Sequence, residues 1–191
     1  MSKIADITTL LNLNFESTTL SSKRFQRGSF NGLAELVVRD GGTVPLILDN
    51  EGEGTEVELN DTYPFQVYHR ILKISPTTDT EDQVGDGLQR KETTTLKMVV
   101  FANRRVMQFE TDDLITAINV GFLTHLSNAQ TATLGNWFSN IDIEVTDIEI
   151  DKEVVWRDEF GQSSTLPPFY QCFAFTYNVI SDINTECFDL C

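Results

Sequence analysis

The stretch from Thr93 to Leu126 limits the fold most, because it reads as a strand, a polar corner and a helix in direct succession. Thr93-Thr94-Thr95-Leu96-Lys97-Met98-Val99-Val100-Phe101 is rich in β-branched and large apolar residues, and from Leu96 onward both faces are mostly apolar. Such a run belongs at the centre of a sheet, with a layer on each side. Asn103-Arg104-Arg105 interrupts it. Glu110-Thr111-Asp112-Asp113 then predicts a helix start, with Thr111 as N-cap and acids facing the positive end of the helix dipole. Leu114, Ile118, Phe122 and Leu126 follow at four-residue steps, beside Ile115 and Ala117, and make one apolar stripe.

A chain of 191 residues is long enough to bury a substantial core as a single domain spanning 1–191. With 40% hydrophobic and 23% charged residues it has the composition of a soluble globular protein. The 13 phenylalanines supply large apolar area for a core or for subunit contacts. The net charge of -15, from 14 Lys+Arg against 29 Asp+Glu, disfavours binding to a nucleic-acid backbone. It suits a surface that DNA passes without adhering, or solubility alone. No apolar run approaches the ~18 residues that a membrane span needs. Met1-Ser2-Lys3-Ile4-Ala5-Asp6 is too polar for a signal sequence, and Cys172, Cys187 and Cys191 do not form a disulfide framework, so a cytosolic origin is expected.

Residues 4–16 have the spacing of a short amphipathic helix, through Ile4, Ile7, Leu10, Leu11 and Phe15. Ser17 to Gly32 is polar and locally basic, with Lys23, Arg24 and Arg27 around Phe25. It reads either as a solvated loop or as a contact to an acidic surface on a neighbouring copy. Leu33–Val38 and Val44–Leu48 are strands joined by Asp40-Gly41-Gly42, a strong hairpin signal. An acidic tip with Glu51 and Glu53 follows, then a strand through Val57 and Leu59. Phe65–Ile74 is another strand, with Phe65, Val67, His69 and Ile71 on one face. Ser75–Glu92, which carries Asp79, Glu81 and Asp82, reads as a long loop.

Ile141, Ile143 and Val145 alternate with Asp142, Glu144 and Thr146, giving the cleanest half-buried strand of the chain. Ile148 and Ile150 continue that pattern. Val154-Val155-Trp156 reads as an extension of it or as a second short strand. Thr165-Leu166-Pro167-Pro168 is a rigid break. Phe169–Ile180 is the last strand, with Phe173, Phe175, Tyr177 and Val179 on one face. The expected fold is therefore α+β. A mostly antiparallel sheet packs on one main helix, with a short N-terminal helix and long arms at about 40–62 and 75–92.

Motifs for chemistry are weak. His69 and His125 lack a nucleophile and orienting acid in any recognisable arrangement, and structural roles are expected for both. The acids from Asp49 superficially match a calcium loop, but Asn60 stands where the bidentate Glu belongs. Cys187 and Cys191, four apart, lack partners for a zinc site. Gly85-Asp86-Gly87 is not followed by a phosphate-loop Lys-Ser/Thr. Lys23 to Arg27 lacks the aromatic platforms of a single-strand groove. No catalytic, cofactor or metal residues are assigned.

The order of elements gives a further lead. A short N-terminal helix precedes a hairpin with a long polar tip. Thr95-Leu96-Lys97-Met98-Val99-Val100-Phe101 leads into a helix from Asp112 to Leu126. Phe173-Ala174-Phe175-Thr176-Tyr177-Asn178-Val179 closes the sheet. This pattern resembles the tail-terminator and neck-ring proteins that complete the head-to-tail junction of tailed bacteriophages, although the segment from Ile141 to Trp156 is extra relative to the small members. The resemblance implies a virion protein without enzymatic activity. It would form a homo-oligomeric ring of about six or twelve copies with unlike faces in contact. The ring would adjoin other neck, portal or tail proteins, conduct double-stranded DNA through an acidic lumen, and touch no membrane. Lys23, Arg24 and Arg27 are then candidates for one face, and Glu51, Glu53, Asp79, Glu81 and Asp82 for the other. A baseplate or tail adaptor of the same virion, or a non-viral soluble binding module, is the alternative.

Overall fold

The computed structural model describes residues 3–14, 29–39, 42–48, 54–76, 89–106, 110–124, 138–162 and 164–184. In chain order the elements are α1 (Lys3–Asn14), β1 (Ser29–Arg39), β2 (Gly42–Leu48), β3 (Gly54–Glu56), β4 (Phe65–Pro76), β5 (Gln89–Asn103), α2 (Thr111–Thr124), β6 (Phe138–Glu149), α3 (Lys152–Phe160) and β7 (Tyr170–Asn184). The fold is α+β. One sheet runs β3-β2-β1-β4-β5-β7-β6. Every neighbouring pair is antiparallel except β1 and β4.

The central strand sits where its composition demands. β5 lies between β4 and β7, and its alternate residues feed two cores. Leu96, Met98, Val100 and Ala102 face Ile4, Ile7 and Leu11 of α1 and Leu114 and Ile118 of α2. Phe173, Phe175, Tyr177 and Val179 of β7 complete that core, all at or below 1% exposure. Val99 and Phe101 point the other way, toward Val155 and Trp156 of α3, with Tyr68, Cys172 and Ala174 alongside. Each face thus has its own apolar layer, which is what an all-round apolar strand requires. β1 and β2 pair antiparallel from Ala34↔Ile47 to Arg39↔Gly42, the hairpin that Asp40-Gly41-Gly42 predicts, with Gly42 already in β2 and 40–41 outside the described residues.

Several expectations are corrected. Val154-Val155-Trp156 is helical, not a strand. Asp151 accepts from the Glu153 and Val154 N–H groups, and this cap stops the alternating pattern at Glu149. Ile150 lies beyond the strand and is 59% exposed. Gly161 closes α3 with φ 82, a left-handed position that favours glycine, and its N–H donates to the Arg157 carbonyl. The strand placed at Val57 and Leu59 is instead Gly54–Glu56. Val57 and Leu59 belong to irregular chain whose apolar side chains pack into the α3-side core. The long loop is shorter than 75–92, because Pro76 still pairs with Glu92 and β5 starts at Gln89. Ser29–Gly32 is already β1 and not part of the polar loop. Thr111 lies inside α2 rather than capping it. Leu114 N–H donates to the Glu110 carbonyl, and the Thr111 hydroxyl accepts from Arg104. The α+β, mostly antiparallel arrangement is as expected, with α3 as an additional helix on the second face of the sheet.

Candidate functional site

The candidate contact residues Lys23, Arg24, Arg27, Glu51, Glu53, Asp79, Glu81 and Asp82 all lie outside the described residues, as do His125, Cys187 and Cys191. What the structure brings together lies elsewhere, in two buried polar clusters and one charge-segregated sheet face.

His69 is fully buried on β4. Asn12 of α1 donates through Nδ2 to the Asn31 carbonyl at 2.9 Å, so its Oδ1 faces His69 Nε2 at 2.9 Å and accepts from it. His69 Nδ1 is then the acceptor for the Tyr177 hydroxyl at 2.8 Å. The imidazole is thereby held neutral with its proton on Nε2. Burial lowers its pKa to about 3 and pushes the Tyr177 hydroxyl up. Both ring nitrogens are occupied by structural partners, which agrees with the role expected for His69.

Glu159 of α3 is the other buried centre, and the sequence gives no warning of it. Its Oε1 lies 3.1 Å from Arg70 Nη2 and 3.0 Å from Lys97 Nζ, and its Oε2 accepts from the Tyr68 hydroxyl at 2.8 Å. Both cations sit within ion-pair reach of Oε1, yet no hydrogen bond of good geometry reaches it, and Arg70 Nε is also buried without one. Arg70 and Lys97 are directly opposite across β4 and β5. Like charges in that position repel, and the Glu159 carboxylate between them, with Asp158 at 3.5 Å from Lys97 Nζ, offsets this. Burial, then the Glu159 charge, push the Tyr68 hydroxyl and the Cys172 thiol well up. Cys172 therefore stays a protonated core residue with little nucleophilic character.

Beyond α3 the same sheet face is open and its charges are sorted by strand. The register puts Lys73, Thr95, Asn178 and Glu144 in one row across β4, β5, β7 and β6. The row nearer α3 is Arg70, Lys97, Thr176 and Asp147, and the row farther away is Ser75, Thr93, Ile180 and Asp142. Cations stand at the β4 end and acids at the β6 end. Asp142, Glu144 and Asp147 are exposed, as is Lys73. The acidic face of β6 is legible as alternation in the sequence. Its cationic counterpart is not, because Arg70 and Lys73 come into line only through the bulge between Ile71 and Lys73.

At the far end of the sheet an open cleft of about 410 Å³ lies beside β3, with Glu56, Glu58, Asp61, Tyr63 and Gln66 among its walls. Gln66 fixes the wall by accepting from Asn60 N–H and donating to the Glu58 carbonyl. Among the described residues no group of three or more His, Cys, Asp or Glu side chains is placed to hold a metal ion, and no helix is long and apolar enough to cross a membrane. No protein-family model matches the chain, and no curated protein matches it.

Proposed function

We propose that this chain is a structural virion subunit that assembles with copies of itself into a ring at a phage head-to-tail junction. Double-stranded DNA crosses the ring through an acidic lumen without specific binding, and the chain carries out no chemistry of its own. The observation that carries the reading is the sorting of charge on a rigid sheet. The exposed cation Lys73 stands on β4 and the exposed acids Asp142, Glu144 and Asp147 on β6, so one end of a subunit complements the opposite end of another. Contacts between unlike faces are what generate rings. The net charge of -15 supplies the electronegative passage, with Glu58 and Asp61 at the β3 end as contributors.

The test is mass and shape in solution, with and without neighbouring neck or tail proteins. Closed rings in electron micrographs, enriched when the partners are present, are the expected result. A strict monomer that enters no larger particle with any neighbouring neck or tail protein removes the ring and leaves a stand-alone binding module.

A further inference from the structure

Besides the outer edge of β3, two further edges of the sheet are open among the described residues, and they differ. β6 is the last strand of the order, so its outer edge has no strand partner among the described residues. β4 has a second open edge along half its length. β1 pairs with it only from Ser29↔Gln66 to Leu33↔His69, then leaves to pair with β2, and Ala34 turns into the α3-side core. From Arg70 to Pro76 the outer edge of β4 has no strand partner among the described residues. This free half exposes Ile71, Leu72 and Ile74 at 39%, 47% and 53%. Consecutive large apolar residues on an open edge are a template for pairing with another chain.

We infer that the free half of β4 pairs with β6 of a second copy of this chain, extending the sheet from subunit to subunit. This deepens the ring reading above and rests on it. The direction fits: β4 and β7 run the same way and β6 runs against them, so the added pair is antiparallel. Both faces fit too. On the α3 side, the exposed Lys73 meets Glu144 of the second copy, while Arg70 stays with Glu159. On the opposite side Ile71 and Ile74 come beside Ile143 and Val145, which face the α1–α2 core and are only partly buried there. Like-with-like pairing is disfavoured on charge, since two β6 edges set acids beside acids and two β4 edges bring the two exposed Lys73 side chains together. Between these two edges the unlike pairing is the one that charge favours, and it is the heterologous kind that propagates around a ring.

The test uses the full chain with Cys187→Ser and Cys191→Ser. Lys73→Cys and Glu144→Cys chains, mixed and oxidised, should give a disulfide-linked dimer that neither forms alone. Separately, Lys73→Glu and Glu144→Lys should each weaken association about tenfold in sedimentation, and the double exchange should restore it. Circular dichroism checks that each variant is folded. Association that persists without the cross-link, or that ignores both charge reversals, overturns the edge pairing while leaving the ring reading intact. A cross-link that yields open filaments in micrographs supports the edge pairing and overturns the ring. A monomer with no cross-link overturns the edge pairing.

Discussion

The two faces of the sheet solve one problem in different ways. On the α1–α2 side the polar groups that are buried are neutral: Asn12, His69 and Tyr177 form a chain of hydrogen bonds inside an otherwise apolar layer. On the α3 side they include an ionic cluster, with Glu159 set between Arg70 and Lys97. A neutral chain whose donors and acceptors all match adds little cost and fixes register. A buried carboxylate with two cations costs desolvation of all three, and loss of any one leaves the others uncompensated. The α3 side should therefore be the more fragile of the two, and the α1–α2 side the more sensitive to acid through its histidine.

The largest expected effect breaks the ionic face. Glu159→Ala leaves Arg70 and Lys97 facing each other at 15% and 11% exposure, with only the more distant Asp158, 3.5 Å from Lys97 Nζ, in partial compensation, and should cost about 3 kcal/mol in urea denaturation. Replacing all three by methionine should recover most of that loss, because an apolar layer removes the desolvation cost along with the pair. A loss under about 1 kcal/mol for the single change means that water reaches the cluster, and the contrast between the faces then disappears.

A smaller effect sharpens the neutral face. His69 titrates near 3 in the folded chain against 6.5 in the unfolded one. Between those values the unfolded chain binds the extra proton, so stability is complete above 6.5 and falls as pH drops toward 3. At about 1.4 kcal/mol per unit, this amounts to roughly 2 kcal/mol by pH 5. The measurement is the difference between wild type and His69→Gln across that window. The variant is less stable at neutral pH but should lack this part of the slope. Parallel curves mean that the ring opens to solvent before the chain unfolds.

The same contrast explains what could be read from the sequence. The α1–α2 face was legible because its signals are periodic: Leu114 and Ile118 at helical spacing, and Phe173, Phe175, Tyr177 and Val179 at strand spacing. The α3 face was not. Val154-Val155-Trp156 has the β-branched and aromatic character of a strand, and Lys152-Glu153 and Arg157-Asp158-Glu159 look like ordinary solvated charges. Nothing local says that Glu159 lies inside while Asp158, one residue earlier, keeps 59% of its side chain exposed. That depends on which way the helix faces, and hence on Arg70 and Lys97, which lie far away in sequence. The cationic edge is hidden for a related reason. A bulge shifts the alternation of β4 by one residue at Leu72, so a strict period of two assigns its faces wrongly beyond that point.

The smallest effect asks what turns Val154-Val155-Trp156 into a helix at all. Side-chain preference alone favours continuing β6. The opposing feature is Asp151, whose Oδ1 accepts from Glu153 N–H at 3.0 Å and Val154 N–H at 3.4 Å, satisfying donors that a first helical turn leaves open. Its charge also faces the positive end of the helix dipole. Asp151→Ala should cost about 1 kcal/mol, and Asp151→Asn much less, since the amide oxygen still accepts. Hydrogen exchange locates the loss: it should quicken at 152–156 and leave β5 and β7 unchanged. If exchange in α3 does not respond, the helix is held from below, by Trp156 stacked on Phe160 and by Glu159 on its two cations. The ionic cluster would then be what selects the helix, and Glu159→Ala, not Asp151→Ala, would be the change that frees this segment.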